Sequence, residues 1–555
     1  MNTLDFITII IFAIGIIFMG LSFSNKGKNM KSFFAAGGAV PWQMNGLSLF
    51  MGFFSAGTFV VWGSIAYSLG WVSVSIQWTM AIAGLLAGTF IAPRWNKTGV
   101  LTAAEYISHR LGIRTQKTYT YIFLFVSLFT TGSFLYPVAK IIEVSTNLPL
   151  NVCILLIGVF CVLYVTFGGL WAVVSTDILQ FIILTAAVII VIPLSFGKVG
   201  GVIEFVQSSP NTFFKLTNGD YTWPFLIAFG IYNTIFIGGN WAYIQRYTTV
   251  KNGIDAQKVG WLFGSLYIIS PILWMLPPMI YHICNPTLQG LESEGAYLMM
   301  CKEVLPAGLL GLVLGGMIFA TASSMNSALN ISAGVVTNDI FKRLRPGSNE
   351  KTLMLIARLS TLIFGVLAII VALMVSSMGG IVNVVISLAA LTGVPLYLPI
   401  IWTLFSHRQT SKSVLTTTLL SLAVNAMFKF VIPNLFNFTL SRTEEMVLGV
   451  GFPILCLVSF ELYYKFSNKI SLDYNRYIKW ENANKIAKEI IAVETIESTN
   501  AQNSFSRKII GYGILFTGIG IIILGCIAHT SRYLVISIGV LLTFIGFRIY
   551  RKNNN

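Results

Sequence analysis

Hydroxyl side chains recur at helical spacing within one long apolar stretch, residues 304–340. Ala320, Ser323, Ser324 and Ser327 fall on one face of a helix, and Asn326 lies beside them. Polar groups at membrane depth need partners, so this face must look into protein or into a wet cavity. Two adjacent hydroxyls and a nearby carbonyl are oxygen ligands that suit an alkali cation. Helix packing through small residues is the alternative interpretation.

The composition indicates that these residues belong to a polytopic membrane protein. Of the 555 residues, 55% are hydrophobic and 10% are charged, and the mean hydropathy is +0.78. Fifteen apolar segments lie near residues 3–23, 42–68, 72–94, 117–147, 150–167, 171–194, 221–246, 256–282, 304–340, 352–376, 380–405, 413–433, 445–465, 509–528 and 532–549. Each can supply the roughly 17–25 residues that cross the hydrocarbon of a bilayer. The sequence therefore predicts an all-α fold with about fifteen transmembrane helices.

The net charge of +16 orients the chain and does not indicate a nucleic-acid partner. If the N-terminus is outside, the alternate loops that begin with residues 24–41 hold most of the 36 Lys and Arg residues. This distribution follows the positive-inside rule. We therefore expect a multi-pass protein of the plasma membrane, with its N-terminus outside, its C-terminus cytoplasmic and the lipid bilayer around it.

Glycines interrupt the second and seventh apolar segments near their middles. In the second segment they surround Ser55 and Thr58, and in the seventh they accompany Asn233 and Asn240. Glycine loosens a helix and frees backbone carbonyls, which then need an ion, a ligand or water. Interrupted helices five segments apart indicate an inverted repeat with a binding site at the membrane midplane. Close helix packing is the other role that these glycines suit.

This repeat pattern predicts the domain organisation. The predicted parts are an N-terminal helix and cytoplasmic loop over 1–41, a transport core over 42–405 with repeats at 42–194 and 221–405, two peripheral helices over 406–465, a cytoplasmic linker over 466–508, and a C-terminal helical hairpin and tail over 509–555. Residues 99–115 are too polar to span and predict an interfacial helix. The linker is expected to be helical around residues 478–492.

Asp177 stands near the start of the sixth apolar segment. A carboxylate there is costly unless it is paired or hydrated, so it is a functional candidate; a helix-start charge at the interface is the alternative. No histidine lies near an acidic cluster or a nucleophile, and no nucleotide-binding motif occurs, so we expect gradient-driven transport and no enzyme. Cys284 and Cys301 share a predicted external loop, where a disulfide is conceivable.

Six motifs occur in order on the expected segments. They are FFAAGGAVPWQMNGLSLFMGFFSAGTF at 33–59, LTAAEYISHRLG at 101–112, TFGGLWAVVSTDILQ at 166–180, YIQRY at 243–247, SSMNSALN…TND at 323–339 and LTGVPLYLPIIW at 391–402. Together they resemble the sodium:solute symporter family, whose members include sodium/galactose, sodium/proline and sodium/sialic acid symporters. The resemblance covers roughly residues 1–465, so the last two helices lie beyond it.

The resemblance implies a LeuT-like core of five plus five helices, which works by alternating access with Na⁺ as the coupling ion. In this family a sodium ion sits between the broken first core helix and the eighth core helix. The matching ligands are the carbonyls of Met51, Phe54 and Ala320 and the hydroxyls of Ser323 and Ser324. A register three residues earlier would use Met317, Ala320 and Thr321 and would lose one hydroxyl.

Some family members bind a second sodium ion. Here it would be held by Asp177, Asn326 and Ser327. The family more often has a small or hydroxylated residue at the position of Asn326. The resemblance therefore leaves the number of sodium ions open between one and two.

The family's substrate contacts match Ser55, Thr58, Gln77 and Asn233, with Phe236 at the position of an inner-gate aromatic. Amides and hydroxyls beside an aromatic lid suit a small polar, sugar-like solute. No arginine within the predicted spans aligns with the carboxylate-binding arginine of sialic acid transporters. The alternatives are a symporter for an organic acid such as a sialic acid, and a membrane sensor that does not transport. No obligate protein partner is predicted.

Overall fold

The computed structural model describes residues 2–24, 40–100, 102–166, 170–468, 470–492, 495–528 and 531–551. Side chains are described for these residues except 16–24, 163–166, 170–176, 326–327, 483–492, 495–507 and 509–510. We label the longer helices of the described part α1 to α21 in chain order.

The first eleven helices are α1 Thr3–Ser24, α2 Trp42–Met51, α3 Thr58–Leu69, α4 Val72–Thr98, α5 Ala103–Leu111, α6 Ile113–Thr146, α7 Leu150–Thr166, α8 Leu170–Val199, α9 Val202–Ser208, α10 Trp223–Gly239 and α11 Trp241–Thr248. The other ten are α12 Gly253–Cys284, α13 Ala296–Val304, α14 Leu309–Leu344, α15 Glu350–Met374, α16 Ile381–Thr403, α17 Ser411–Phe436, α18 Arg442–Phe466, α19 Leu472–Ala492, α20 Thr495–Ile527 and α21 Arg532–Arg551. The all-helical fold predicted from the sequence is confirmed for the described residues.

Ten of the described helices are long and apolar enough to cross a membrane, or eleven if α10 and α11 form one bent span. Four shorter apolar helices, at Thr3–Gly15, Thr58–Leu69, Leu150–Val162 and Gly511–Ile527, lie in the remaining predicted segments. Each of the fifteen apolar segments of the sequence thus contains an apolar helix.

The second and seventh segments are interrupted, as their glycines predict. In the second segment, α2 ends at Met51, and α3 begins at Thr58 after a short interruption. The seventh bends by 58° between α10 and α11. Asn240 caps α11 at this bend, because its side chain accepts a hydrogen bond from the amide of Ala242 at 2.9 Å.

The helices that follow these two interruptions, α4 and α12, cross each other at glycines. Gly84 and Gly88 on α4 face Gly260 and Gly264 on α12, and a Cβ added to any of the four would press on the other helix. Two small residues one turn apart on each helix allow this close approach. The crossing holds the two predicted repeats against each other.

The ninth segment, α14, runs through the centre of the bundle, where it contacts α1, α6, α7, α8 and α15. Its serines are therefore enclosed by protein and do not face lipid. Ser323 is 4% exposed and Ser324 is 7% exposed.

The predicted interfacial helix forms as α5, but protein covers it. The linker helix α19 begins at Leu472, six residues earlier than expected, and docks on α5. The His109 ring stacks on Trp480 with centroids 3.9 Å apart, and Tyr106 contacts Tyr477. Aromatic contacts with α19 therefore cover part of this helix, and its position at the membrane surface stays a prediction.

The predicted C-terminal hairpin is formed by α20 and α21, which pack along each other and against α8. Gly518 and Gly539 bring the two helices into backbone contact, so their packing role is supported. Cys284 and Cys301 are both free, and the conceivable disulfide between them is absent from this part of the described chain.

Candidate functional site

The break between α2 and α3 releases two particular backbone carbonyls. In an unbroken helix the amide of Ser55 would bind the carbonyl of Met51, and the amide of Thr58 would bind that of Phe54. Instead the Ser55 amide donates to the Thr58 hydroxyl at 3.3 Å, and the Thr58 amide donates to the carbonyl of Ser55 at 3.0 Å. The Thr58 hydroxyl in turn donates to the carbonyl of Phe53. Local side-chain bonds thus replace the helical ones.

A hydrogen bond across the bundle fixes the break against α14. The amide of Ala56 donates to the hydroxyl of Thr321 at 3.1 Å, and both residues are fully buried. The Thr321 hydroxyl therefore already serves the broken helix. This contact places the loosened backbone directly beside the turn of α14 that carries Ser323 and Ser324.

The two serines differ in their hydrogen bonds. The Ser324 hydroxyl donates to the carbonyl of Ala320 at 3.2 Å, one turn earlier on α14. The Ser323 hydroxyl donates to the carboxylate of Asp177 on α8. Each oxygen keeps lone pairs with which it can accept a cation.

Asp177 is buried in a polar chain that ends at Arg246. The Ser48 hydroxyl donates to Asp177 Oδ2 at 2.6 Å, and Arg246 Nη2 donates to the Ser48 oxygen at 3.3 Å. Asp177 is 3% exposed and Arg246 is 4% exposed. The carboxylate therefore has two hydroxyl donors, with the Arg246 guanidinium one hydrogen bond beyond Ser48.

One cavity of about 210 Å³ joins these elements. Helices α2, α3, α6, α10, α11, α14 and α16 all contribute to its wall. Of the residues predicted from the sequence, the cavity is lined by Met51, Ser55, Thr58, Asp177, Asn233, Phe236, Ser323 and Ser324. Asp177 and Arg246 are the charged residues of this lining, and their charges are opposite.

Three predicted residues lie outside the lining. The Phe54 ring stacks on Trp274 with centroids 4.1 Å apart, and Ala320 is fully buried. Both residues are predicted to bind sodium through their backbone carbonyls, so the position of their side chains does not bear on that prediction. Gln77 is buried and donates to the carbonyl of Ser73 at 3.4 Å, within its own helix. The structure therefore does not bring Gln77 to the predicted solute site. The side chains of Asn326 and Ser327 lie outside the described part.

Aromatic rings form one wall of the cavity. Phe53 and Phe236 contact each other with centroids 6.0 Å apart, and both contact Tyr243. Tyr397 extends the group from α16. The predicted inner-gate residue Phe236 also stacks on Tyr232 and thus stands within a cluster of aromatic rings.

The segment between α12 and α14 contacts three of the helices that line the cavity. The hydroxyls of Ser64 and Ser293 lie 2.6 Å apart, and Tyr297 packs on Phe59 with centroids 4.4 Å apart. Glu294 accepts hydrogen bonds from the amide of Ile381 at 3.0 Å and from the hydroxyl of Tyr136 at 3.2 Å. Together these contacts tie α3, α6 and α16 to one loop.

Sequence reasoning missed Ser48 and Arg246. Arg246 ends an apolar segment and belongs to the YIQRY motif, but its position beside a loop indicated a cytoplasmic charge. The available signal was Asp177, because a buried carboxylate requires a cation or several donors.

Comparisons with known proteins agree with this geometry. The model of the family described as "Sodium:solute symporter family" matches residues 33–420. A sodium/glucose cotransporter from Vibrio parahaemolyticus is 28% identical over 473 residues, which cover 77% of this chain and 86% of that protein. A sodium/sialic acid symporter from Aliivibrio fischeri is 24% identical over 439 residues, which cover 76% of this chain and 87% of that protein.

Among solved structures, a sodium-coupled sialic acid symporter in a substrate-bound outward-open state superposes with a TM-score of 0.71. The superposition covers 83% of this chain and 98% of the other, at 21% sequence identity. At this identity the likeness establishes the fold, and the LeuT-like architecture predicted from the sequence is confirmed.

Proposed function

Because the chain belongs to the sodium:solute symporter family, whose coupling ion is sodium, we propose that it imports a small polar solute by alternating access at the cavity described above. The rerouted amides of Ser55 and Thr58 carry this proposal. They release two carbonyls on a broken helix, and Thr321 ties that helix to the turn of α14 that carries two serine hydroxyls.

The proposed sodium ligands are the carbonyls of Met51, Phe54 and Ala320 and the hydroxyls of Ser323 and Ser324. Met51 and both serines line one cavity, which supports the proposal. Five uncharged oxygens suit an ion that must bind and also leave. Because Ser323 donates to Asp177, its oxygen is polarised toward a cation while the carboxylate stays one bond away.

The charge of the cavity favours a neutral solute. Asp177 and Arg246 offset each other, and both are bonded to Ser48. Asn233, Thr58 and Ser55 offer hydroxyl and amide groups to the same cavity, which aromatic rings also line. Such a lining suits the hydroxyls and apolar faces of a sugar. An organic acid such as a sialic acid is the alternative, for which Arg246 is the cation on the cavity wall.

The family resemblance leaves open a second sodium at Asp177, Asn326 and Ser327. Arg246 bears on it, because this guanidinium already supplies a positive charge beside Asp177. We infer that one sodium is carried per cycle at the first site. A sodium dependence of uptake with a Hill coefficient near one is expected.

We also propose that the N-terminus is outside and the C-terminus cytoplasmic. The basic residues of the loops support this orientation. The loop that bears Glu294 then lies on the external side. The same assignment makes α5 and α19 a cytoplasmic layer.

The test is uptake into proteoliposomes under an imposed sodium gradient, with radiolabelled D-galactose, D-glucose and N-acetylneuraminate as probes. We expect sodium-driven uptake of a sugar, and its loss in the double variant Ser323→Ala with Ser324→Ala. Ser332→Ala is the matched control, since Ser332 is a fully buried serine of α14 that does not line the cavity. Unchanged sodium dependence in the double variant would refute the site, and uptake of N-acetylneuraminate alone would favour the acid alternative.

A further inference from the structure

Asn425 is a buried amide in the middle of the apolar helix α17. It is 4% exposed, although α17 is otherwise a peripheral helix with much of its surface outward. Its Nδ2 donates to the carbonyl of Ala390 at 3.1 Å and to the carbonyl of Leu391 at 3.2 Å. A side-chain amide at membrane depth is costly without partners, so this double contact needs a physical reason.

That reason lies in the backbone of α16. Residues Ala389–Gly393 form a π-helical turn, which contains one residue more than a regular turn. The turn is followed by Pro395, which has no N–H for the carbonyl of Leu391 four residues earlier. Asn425 donates hydrogen bonds to two consecutive carbonyls of this turn, in the place where water would otherwise be needed.

A second peripheral helix, α18, reaches the same turn through a glycine. A Cβ added to Gly449 would collide with the carbonyl oxygen of Ala390. Only a residue without a side chain allows this approach. Helices α17 and α18 therefore enclose the wide turn from its outer side, with Asn425 bonding it and Gly449 fitting it.

The inner side of the same turn faces the cavity. Ala389, Thr392 and Gly393 belong to the cavity lining. A Cβ added to Gly393 would collide with the ring of Tyr232, which lines the cavity from α10. The width of the turn thus sets how α16 meets the cavity.

We propose that Asn425 and Gly449 are positioning residues that hold the wide turn of α16 in place and so fix the wall this helix presents to the solute. The proposal rests on the proposed function only in that the cavity takes solute. Without the two donors, the carbonyls of Ala390 and Leu391 would lose these hydrogen bonds, and Pro395 has no N–H with which to replace them. The turn would then be free to change its shape, and the part of α16 that follows it would move.

The test measures the geometry of α16 directly. In a cysteine-free background, spin labels at Met378 and Phe405 flank α16, and both positions are 42% exposed. We expect Asn425→Leu to shift or broaden the distance distribution between the labels, and Asn425→Gln to change it less than Asn425→Leu does. Ser421→Ala is the matched control, since the Ser421 hydroxyl is buried one turn away without a hydrogen-bond partner in the described part.

A second readout follows the cavity wall. A single cysteine at Thr392 should react readily with a water-soluble methanethiosulfonate reagent, and several-fold more slowly when Asn425→Leu is added. An unchanged distance distribution and unchanged reactivity would overturn the proposal, as would an equal effect of Ser421→Ala. If Asn425→Leu does not fold, the same two measurements are made on Gly449→Ala and compared with those on Gly451→Ala. Gly451→Ala is the control, because no atom lies within 4 Å of a Cβ added at Gly451.

Neither readout uses sodium or solute. If the proposed function is wrong, uptake will not depend on sodium, but Asn425→Leu will still change the geometry of α16. Failure of the present proposal would leave sodium-driven uptake intact in Asn425→Leu, with α16 unmoved.

Discussion

At the scale of single residues, Asp177 and Arg246 place opposite charges beside the proposed sodium site. Both are almost fully buried, and Ser48 connects them by two hydrogen bonds. Each charge is tolerable because the other is near, and either one alone would be an uncompensated charge in a low-dielectric interior. The pair therefore acts as one unit whose members cannot be judged separately.

This coupling predicts the result of a double-mutant cycle. Asp177→Asn or Arg246→Met alone should lower the free energy of unfolding by about 3–5 kcal/mol, because the remaining charge loses its partner. The double variant should cost clearly less than the sum of the two. Denaturation in mixed micelles measures the three differences. Additive costs would show that the two charges do not interact.

The two residues also show what a single sequence reveals about a site. Asp177 is predictable, because a carboxylate inside an apolar segment is costly and is seldom kept there without a functional role. Arg246 is not, because a basic residue at the end of a span usually lies in the cytoplasmic loop. The sequence places Gln77 in the cavity, but its amide reaches back to its own helix. Side-chain direction within a helix depends on packing that the residue type does not encode.

At the scale of elements, the break in the second segment is predictable but its construction is not. Glycines around Ser55 and Thr58 indicate a weak helix. The structure shows that the Thr58 hydroxyl closes the break by accepting from Ser55 and donating to Phe53. A residue predicted as a solute contact thus also maintains the backbone of the site. Spacing alone cannot distinguish these roles.

The loop between α12 and α13 is joined to two other helices through Glu294. The carboxylate accepts from Ile381 at the start of α16 and from Tyr136 on α6. Burial is the main influence and raises the pKa of Glu294, while these two hydrogen bonds and the charge of Lys140 oppose it. Glu143 also lies nearby, paired with Lys140 at 2.8 Å.

The raised pKa of Glu294 predicts the sign of a pH effect. The folded protein holds this proton more tightly than the unfolded chain, so stability is gained as pH falls through the folded-state pKa, and the gain is complete below the ordinary value of 4.5. We expect the apparent melting temperature of Glu294→Gln, relative to wild type, to be highest above the folded-state pKa and to lose this advantage as the pH falls toward the ordinary value of 4.5. Glu292→Gln, at an exposed neighbouring position, should follow wild type throughout. A difference in melting temperature between Glu294→Gln and wild type that does not change with pH would contradict the raised pKa of Glu294.

At the scale of the whole molecule, the two predicted repeats are packed against each other beside one cavity. The order of apolar segments predicts the repeats, since broken helices five segments apart already imply the symmetry. The contact between α4 and α12 is beyond sequence reasoning, because many glycines occur in the spans and only the fold pairs Gly84 and Gly88 with Gly260 and Gly264. The docking of α19 on α5 is hidden for the same reason, since neither helix carries a pattern that names its partner.

The crossing of α4 and α12 predicts the effect of a single methyl group. A Cβ at position 260 would collide with the backbone of Gly88, which has no side chain to move aside, so the two helices must separate. Overpacking of this kind costs about 1–3 kcal/mol, more than the helix propensity gained by alanine. We therefore expect Gly260→Ala to lower the apparent melting temperature and to slow sodium-driven uptake. Gly253→Ala on the same helix is the control, because its new methyl group would meet Pro93 at an ordinary 3.5 Å. Equal behaviour of the two variants would mean that the crossing is not a tight contact between the repeats.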